Sequence, residues 1–464
     1  MMKSDTIAAI ATAMSNSGIG IIRISGPDAV LIADKVYRSK NQTKKLINQK
    51  THTIHYGFIY DGNDLIDEVM VAIMKAPNSF TAEDTVEIDC HGGILVMKKI
   101  LETVLNNGAR AAEPGEFTKR AFLNGRIDLT KAEAVMDLIG SSNEYAMKSS
   151  VSQLKGSIHK KIQKLREQII YEIAFIESAL DDPEHISTEG YPEKLRKIVD
   201  ELLCELTEMI QTFDNGRIIK EGIRVVILGK PNAGKSSLLN KLLGEEKAIV
   251  TDIAGTTRDV LEQFINLDGI GIHIVDTAGI RDTEDIVEKI GVDRAIESSK
   301  DADLIIYVAD SSKALDEDDK KIMDLMSSKK SIILLNKSDL ETKISLESMK
   351  KLCEDFKEDS MILNTSMTED IGLKELEEAM KDMFIHGKID MNEEVTITNL
   401  RHKEALSDAK DSLLLVRQSL LDEMPEDFYS IDLMNAYASL GSIIGEEVGE
   451  DLVNEIFSKF CMGK

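Results

Sequence analysis

Eight consecutive residues carry the clearest chemical signal in the chain: Gly229-Lys230-Pro231-Asn232-Ala233-Gly234-Lys235-Ser236, with Ser237 directly after them. They match the phosphate-loop pattern G-x-x-x-x-G-K-S, and they lie between an apolar strand pattern and the helical SLLNKLLG, the context the pattern requires. The glycines let backbone N–H groups turn inward around anionic oxygens. Lys235 brings a point charge to the terminal phosphates, and the Ser236 hydroxyl is a ligand for Mg²⁺. The dipole of the following helix adds to the attraction. Three further pieces follow in chain order. Asp276-Thr277-Ala278-Gly279 ends a strand pattern, with Asp276 set to hold Mg²⁺ through water and the Gly279 amide set to meet a γ-phosphate. Asn336-Lys337-Ser338-Asp339 ends another; the Asp339 carboxylate can accept hydrogens from guanine N1 and N2, a pairing adenine does not offer. Thr365-Ser366 follows the last strand pattern as the base-edge loop. A lone D-x-x-G is a weak signal, whereas the four pieces in this order and placement specify a GTPase. Catalysis departs from the commonest pattern. The position after Asp-Thr-Ala-Gly, where a Gln often orients the attacking water, holds Ile280, and the phosphate loop offers no arginine finger.

The elements that would position these groups fall into three kinds. Residues 218–384 alternate strands and helices: IRVVILG (223–229), IGIHIVD (270–276), DLIIYVAD (303–310), SIILLNK (331–337) and MILNTS (361–366) are near-continuous apolar strands, which predicts a mostly parallel, doubly wound α/β domain buried on both faces. On either side, 121–217 and 385–464 read as helical. Val151, Leu154, Ile158, Ile162, Leu165, Ile169, Ile173, Ile176 and Leu180 recur at spacings of three and four, predicting a helix over 151–180 that Asp181-Asp182-Pro183 stops. Leu195, Ile198, Leu202, Leu206, Ile210 and Phe213 predict a second, and 402–424 and 430–459 two more. Such seams are expected in a bundle core rather than in a coiled-coil dimer. Residues 1–120 mix strand patterns (18–25, 67–75, 85–90) with a helix within 91–110, an α+β domain. The α/β domain is thus inserted into a helical one.

Composition narrows the functions. The chain of 464 residues has 82 acidic and 56 basic residues, a net charge of −26. That excludes simple neutralisation of a nucleic-acid backbone by the whole protein and docking on an anionic membrane. The first 125 residues hold 14 of each sign, so the excess lies downstream. Cys90, Cys204, Cys353 and Cys461 show no metal-ligand or redox-pair spacing. With no convincing signal-peptide core and no apolar run of membrane-spanning length, the expectation is a cytoplasmic protein.

The loop AIVTDIAGTTRD (248–259), Asn232, the run Asp276–Ile280 and the terminal Phe460-Cys461-Met462-Gly463-Lys464 resemble the MnmE (TrmE) family of tRNA-modification GTPases. The resemblance covers essentially the whole chain, including PNSFTAEDTVEIDCHGG (77–93) and PGEFTKRAFLNGRIDLTKAEAV (114–135); Met462 stands where Ile is usual. It implies a potassium ion in place of an arginine finger, held by Asn232 and by oxygens of Thr251, Ile253 and Thr256 within the loop that also contains Asp252, Ala254 and Gly255. It implies Thr257 as the switch ligand of Mg²⁺ and Glu288 as the water-orienting residue, whereas the residues of RDTEDIVEK by themselves favour an ordinary surface carboxylate for Glu288. For Arg258 and Asp259, switch contacts and salt bridges both stay open.

The resemblance further implies a folate-binding-like N-terminal domain that holds a homodimer. Arg23, Glu87 and Arg126 would surround 5-formyl-tetrahydrofolate, with Lys464 arriving from the C-terminus. Arg126 stands where Lys is frequent, which keeps the charge and changes the hydrogen-bond geometry; for Arg23 a structural ion pair is the alternative. Cys461 is either a catalytic thiol, its thiolate favoured by Lys464, or an idle terminal one. Cys90-His91 are strand neighbours pointing to opposite faces and are not expected to cooperate. The implied activity is GTP hydrolysis that, with the FAD-binding partner MnmG (GidA), converts carbon 5 of the wobble uridine of certain tRNAs to an aminomethyl or carboxymethylaminomethyl group. The acidity adds the expectation that most tRNA backbone contacts come from the partner. A regulatory GTPase would have no use for a folate-type domain or a terminal Cys-x-Gly-Lys, and a folate-dependent transferase would turn over without the flavoprotein.

Overall fold

Strict alternation of apolar and polar residues in Thr85–His91 places Val86, Ile88 and Cys90 on one face of a strand and Glu87, Asp89 and His91 on the other. A computed structural model describes residues 5–40, 43–247, 263–267, 270–275, 299, 302–354, 356, 360–384, 396–446, 448–460 and 463. In it that strand, β6, belongs to a seven-stranded sheet with β1 (Ile7–Ile10), β2 (Ile19–Ser25), β3 (Tyr37–Arg38), β4 (Thr53–Asp61), β5 (Asp64–Met74) and β7 (Arg110–Ala111), in the order β3-β4-β5-β6-β2-β1-β7. All pairings are antiparallel except β1 with β7. The helices α1 (Ala29–Val36) and α2 (Ile94–Asn106) cover one face through Ile22, Ile24, Val71, Ile73, Val86, Ile88, Met97 and Ile100, all fully buried. On the opposite face Arg23 lies directly across from Glu87.

The chain forms two compact units: Met1–Ile139, Ser150–Cys204 and Glu404–Lys464, and Gly140–Ser149 with Glu205–Lys403. The first holds the sheet just described and a helical part containing α3 (Glu116–Leu123), α4 (Leu129–Ile139), the helix Ser157–Asp181, most of the helix Leu400–Leu421, and the helices Glu426–Ile444 and Glu450–Ser458. The expected helix over 151–180 is in fact two, α5 (Glu144–Leu154) and α6 (Ser157–Asp181). The break is Gly156, whose φ of +85° is left-handed. The stretch 430–459 is divided likewise at Gly445, φ +89°. Ile158, Ile162, Leu165, Ile169, Ile173 and Ile176 form the buried seam of α6 as the spacing predicts. The second stripe lies on α7 (Tyr191–Gln211), but Phe213 opens a separate helix, α8 (Phe213–Glu221).

The second unit contains a six-stranded sheet ordered β13-β12-β11-β8-β10-β9: β8 (Ile223–Leu228), β9 (Gln263–Leu267), β10 (Ile270–Val275), β11 (Leu304–Asp310), β12 (Ser331–Asn336) and β13 (Ser360–Asn364). Every pairing is parallel except β9 with β10. Val225, Ile227, Ile306 and Val308 pack on one side with α9 (Lys235–Lys247) and the helix Leu373–Phe384. Val226, Leu228, Ile305 and Tyr307 pack on the other with the helices Glu317–Met326 and Leu346–Leu352. Two buried faces explain why these strands read as near-continuous apolar runs. The carboxyl ends of β8, β11, β12 and β13 share one edge, where ligands of such sheets bind.

Candidate nucleotide site and a second polar cluster

At that edge β8 runs into the phosphate loop. The Ala233 N–H donates to the Lys230 carbonyl at 3.3 Å, closing a four-residue turn with Pro231 second and Asn232 third. Asn232 has φ +59°. Pro then a left-handed Asn is the signature of a type II turn, and it leaves Asn232 exposed at the loop's crest. Lys235, first residue of α9, folds its Nζ back to donate to the carbonyls of Gly229 (2.6 Å) and Lys230 (2.8 Å). Burial pushes the Lys235 ammonium below its ordinary pKa. Ser236 and Ser237 are exposed in the first turn of α9, where the helix end is electropositive. Ala233 is buried.

The two base-side segments are tied to this loop and to each other. Asn336 is 2% exposed and donates from Nδ2 to the Ala233 carbonyl at 2.7 Å, while its Oδ1 accepts from the Met367 N–H at 3.2 Å. It therefore fastens the ends of β12 and β13 to the phosphate loop. Gly234, φ +109°, makes room for it: a Cβ there would stand 2.1 Å from Asn336 Nδ2. Lys337 lies at φ +63° and donates to Asp310 Oδ2 at 2.7 Å. Burial works against the Asp310 charge, but the bond from Lys337 and then those from Ser312 hold its carboxyl below the usual range. The Ser338 N–H donates to the Thr365 carbonyl at 3.1 Å. Buried Ser366 donates from Oγ to Oδ1 of exposed Asp339 at 2.6 Å, which turns that carboxylate outward beside the loop. Asn232 to Ser237, Asn336 to Asp339 and Thr365–Ser366 thus meet at one sheet edge. Thr251 to Asp259, Asp276 to Ile280 and Glu288 lie outside the described residues.

Sequence reasoning missed two contributors here. Asp310 ends β11 at the same edge, and that placement was the available signal. Lys230, an arbitrary position of the loop pattern, has its own set of partners in the Asp316–Asp319 segment.

A second cluster sits on the outer face of the seven-stranded sheet. Arg23 Nε donates to Glu87 Oε1 at 2.8 Å and Arg23 Nη1 to the Gly463 carbonyl at 3.1 Å. The Arg23 guanidinium stands 5.7 Å from the Phe117 ring centre and 5.8 Å from that of Phe80; exposed Arg126 is 5.1 Å from Phe80. Gly463 therefore reaches the Arg23–Glu87 pair, and Phe80 lies near both Arg23 and Arg126. Cys461 and Lys464 lie outside the described residues. The ion pair that was one of two readings of Arg23 is present. Cys90 is turned away: its Sγ donates to the Gly20 carbonyl and burial pushes the thiol to about 11, while His91 pairs with Asp67. They do not cooperate. Among the described residues no group of three His, Cys, Asp or Glu is arranged to hold a metal, and no helix is long and apolar enough to cross a membrane.

Comparison with known proteins covers the chain from end to end. The family model described as "GTP-binding protein TrmE N-terminus" matches residues 6–126, and "MnmE helical domain" matches 129–461. Three curated relatives are each described as "tRNA modification GTPase MnmE". Identity is 57% over 463 residues for the one from Lachnoclostridium phytofermentans, 47% over 466 for Acetivibrio thermocellus and 46% over 466 for Alkaliphilus oremlandii; each alignment covers 100% of both chains.

Proposed function

The chain belongs to the MnmE (TrmE) family of tRNA-modification GTPases, and from that membership we propose that it hydrolyses GTP in a potassium-dependent cycle linked to meeting of its two copies. The cycle drives modification of carbon 5 of the wobble uridine of certain tRNAs, in the cytoplasm and together with the flavoprotein MnmG (GidA). One observation carries the potassium reading: the phosphate loop presents Asn232, an exposed oxygen donor on a left-handed turn, in a chain whose Asp-Thr-Ala-Gly is followed by Ile280. An amide oxygen suits a hard cation. Asn232, Thr251, Ile253 and Thr256 would hold potassium, and Ser236 and Thr257 would hold Mg²⁺. A monovalent cation there supplies the charge that a guanidinium supplies elsewhere.

The chain's own groups then have distinct duties. Loop amides and Lys235, once released from the Gly229 and Lys230 carbonyls, bind the phosphates. Asp339, aimed by Ser366, selects guanine. Glu288 orients water. On the outer sheet face Ile54, Tyr56 and Met70 are 65%, 49% and 47% exposed, with Tyr56 and Met70 directly opposed, which supports a homodimer held through this domain. Arg23 and Arg126 flanking Phe80 suit the stacked ring and carboxylates of a formyl-tetrahydrofolate, and Gly463 at Arg23 brings Cys461 and Lys464 within a few residues of it.

The test is GTP turnover in potassium against sodium at equal ionic strength, with oligomeric state followed in parallel. The expected result is a sharp loss in sodium that an Asn232→Ala protein no longer shows. Equal rates in both salts from a single copy would sink the reading.

A further inference from the structure

The phosphate loop has an anchor outside the nucleotide pattern. Lys230 extends its Nζ to Asp319 Oδ2 at 2.6 Å and Asp316 Oδ2 at 2.5 Å. Asp319, on the helix Glu317–Met326, is 4% exposed. Its Oδ2 also accepts from the Asp316 N–H at 2.9 Å, and its Oδ1 accepts from the hydroxyl of fully buried Tyr307 on β11 at 2.5 Å. The Asp319 N–H in turn donates to Asp316 Oδ1 at 3.3 Å, so the two aspartates cap the helix reciprocally. Both carboxylate oxygens of Asp319 are engaged, and the ammonium it shares with Asp316 comes from the loop.

Lys230 is also the first residue of the turn that presents Asn232. Its carbonyl receives both the Ala233 N–H and Lys235 Nζ. The side chain is thus pinned to a buried carboxylate while the carbonyl closes the turn. A lysine needed only for solubility would be neither pinned nor placed there. Holding a donor within a fraction of an ångström is what a cation site requires. We propose that Lys230, fastened by Asp319 and Tyr307, is the positioning residue that sets the Lys230–Ala233 turn and thereby aims Asn232 at the cation. The inference rests on the potassium reading above and adds a residue that acts through Asn232.

The experiment uses the full chain and the variants Lys230→Met, Lys230→Arg, Asp319→Asn and Tyr307→Phe. Three quantities are read: turnover against potassium concentration at constant ionic strength, affinity for a fluorescent GDP, and hydrogen exchange of the amides of 229–238. Lys230→Met is expected to raise the half-saturating potassium concentration about tenfold and speed exchange at Asn232–Gly234, with GDP affinity within about threefold of the parent. Lys230→Arg restores most of the response, and Tyr307→Phe gives a smaller shift in the same direction. If Lys230→Met does not fold, the milder Tyr307→Phe decides. Unchanged potassium saturation and exchange in a folded variant overturns the proposal, as does a loss of GDP affinity as large as the shift in potassium. A parent enzyme indifferent to potassium would instead remove the reading beneath it.

Discussion

Asn336 sits in the motif whose last residue, Asp339, is proposed to read the base, yet its own geometry makes it a fastener, and Asn336→Ala separates the two roles. The side chain is 2% exposed and serves two backbone groups, the Ala233 carbonyl at 2.7 Å and the Met367 N–H at 3.2 Å. Truncation leaves both without a partner, at about 1–3 kcal/mol each. Water reaching the loop end of the cavity recovers part of this, so about 2–3 kcal/mol is the net expectation. That cost falls on the organised loop that binds nucleotide. Converted at about 1.4 kcal/mol per decade, GDP affinity should fall about 30- to 100-fold. The assay is titration of the full chain with fluorescent GDP and, in parallel, with inosine diphosphate, which lacks the 2-amino group that Asp339 would accept from in the proposed function. Because Asn336 acts on the loop, both affinities should fall together and their ratio should hold. A loss of GDP affinity under twofold, or a ratio that collapses toward one, would refute the reasoning.

Two more outcomes follow from the first unit. Gly463 lies at φ +83°, and a Cβ there would stand 2.3 Å from the Ile10 carbonyl oxygen; Gly463→Ala should displace the tail from Arg23, cutting wobble-uridine modification more than about tenfold while GTP turnover stays within about twofold, as nucleoside analysis and phosphate release will show. The bonds of Arg110 and then Arg120 hold the half-exposed Asp5 carboxyl at about 2. A depressed folded pKa stabilises above the unfolded value near 3.8 and the benefit is lost as pH falls toward 2, so Asp5→Asn should lower the melting temperature at pH 6 and differ less from the parent at pH 3; a constant difference across that range would contradict the assignment.

What the sequence made legible follows from how far each pattern's cause lies along the chain. The GTPase strands were readable because Val225 and Ile227 fill one core while Val226 and Leu228 fill another, so few polar residues, such as Arg224 and His273, interrupt them. β9, the antiparallel edge, has no such run and was missed. β4 was missed for the opposite reason: Ile54 and Tyr56 face outward while His55 is buried, its Nε2 bonded to Thr53 Oγ1 at 2.8 Å and its pKa lowered first by burial. Alternation there reads inside out, so the apolar positions do not mark the buried face. The helix breaks at Gly156 and Gly445 escaped notice because apolar spacing continues across them, Leu154 to Ile158 keeping the interval of four. At the site, residues whose roles are fixed by their own chemistry announced themselves. Asp319 and Lys230, 89 positions apart, did not, since nothing local to either predicts the other. A motif thus names the groups that touch the nucleotide, whereas the groups that hold them still are spread over neighbouring strands and helices, and only the fold brings them to the loop.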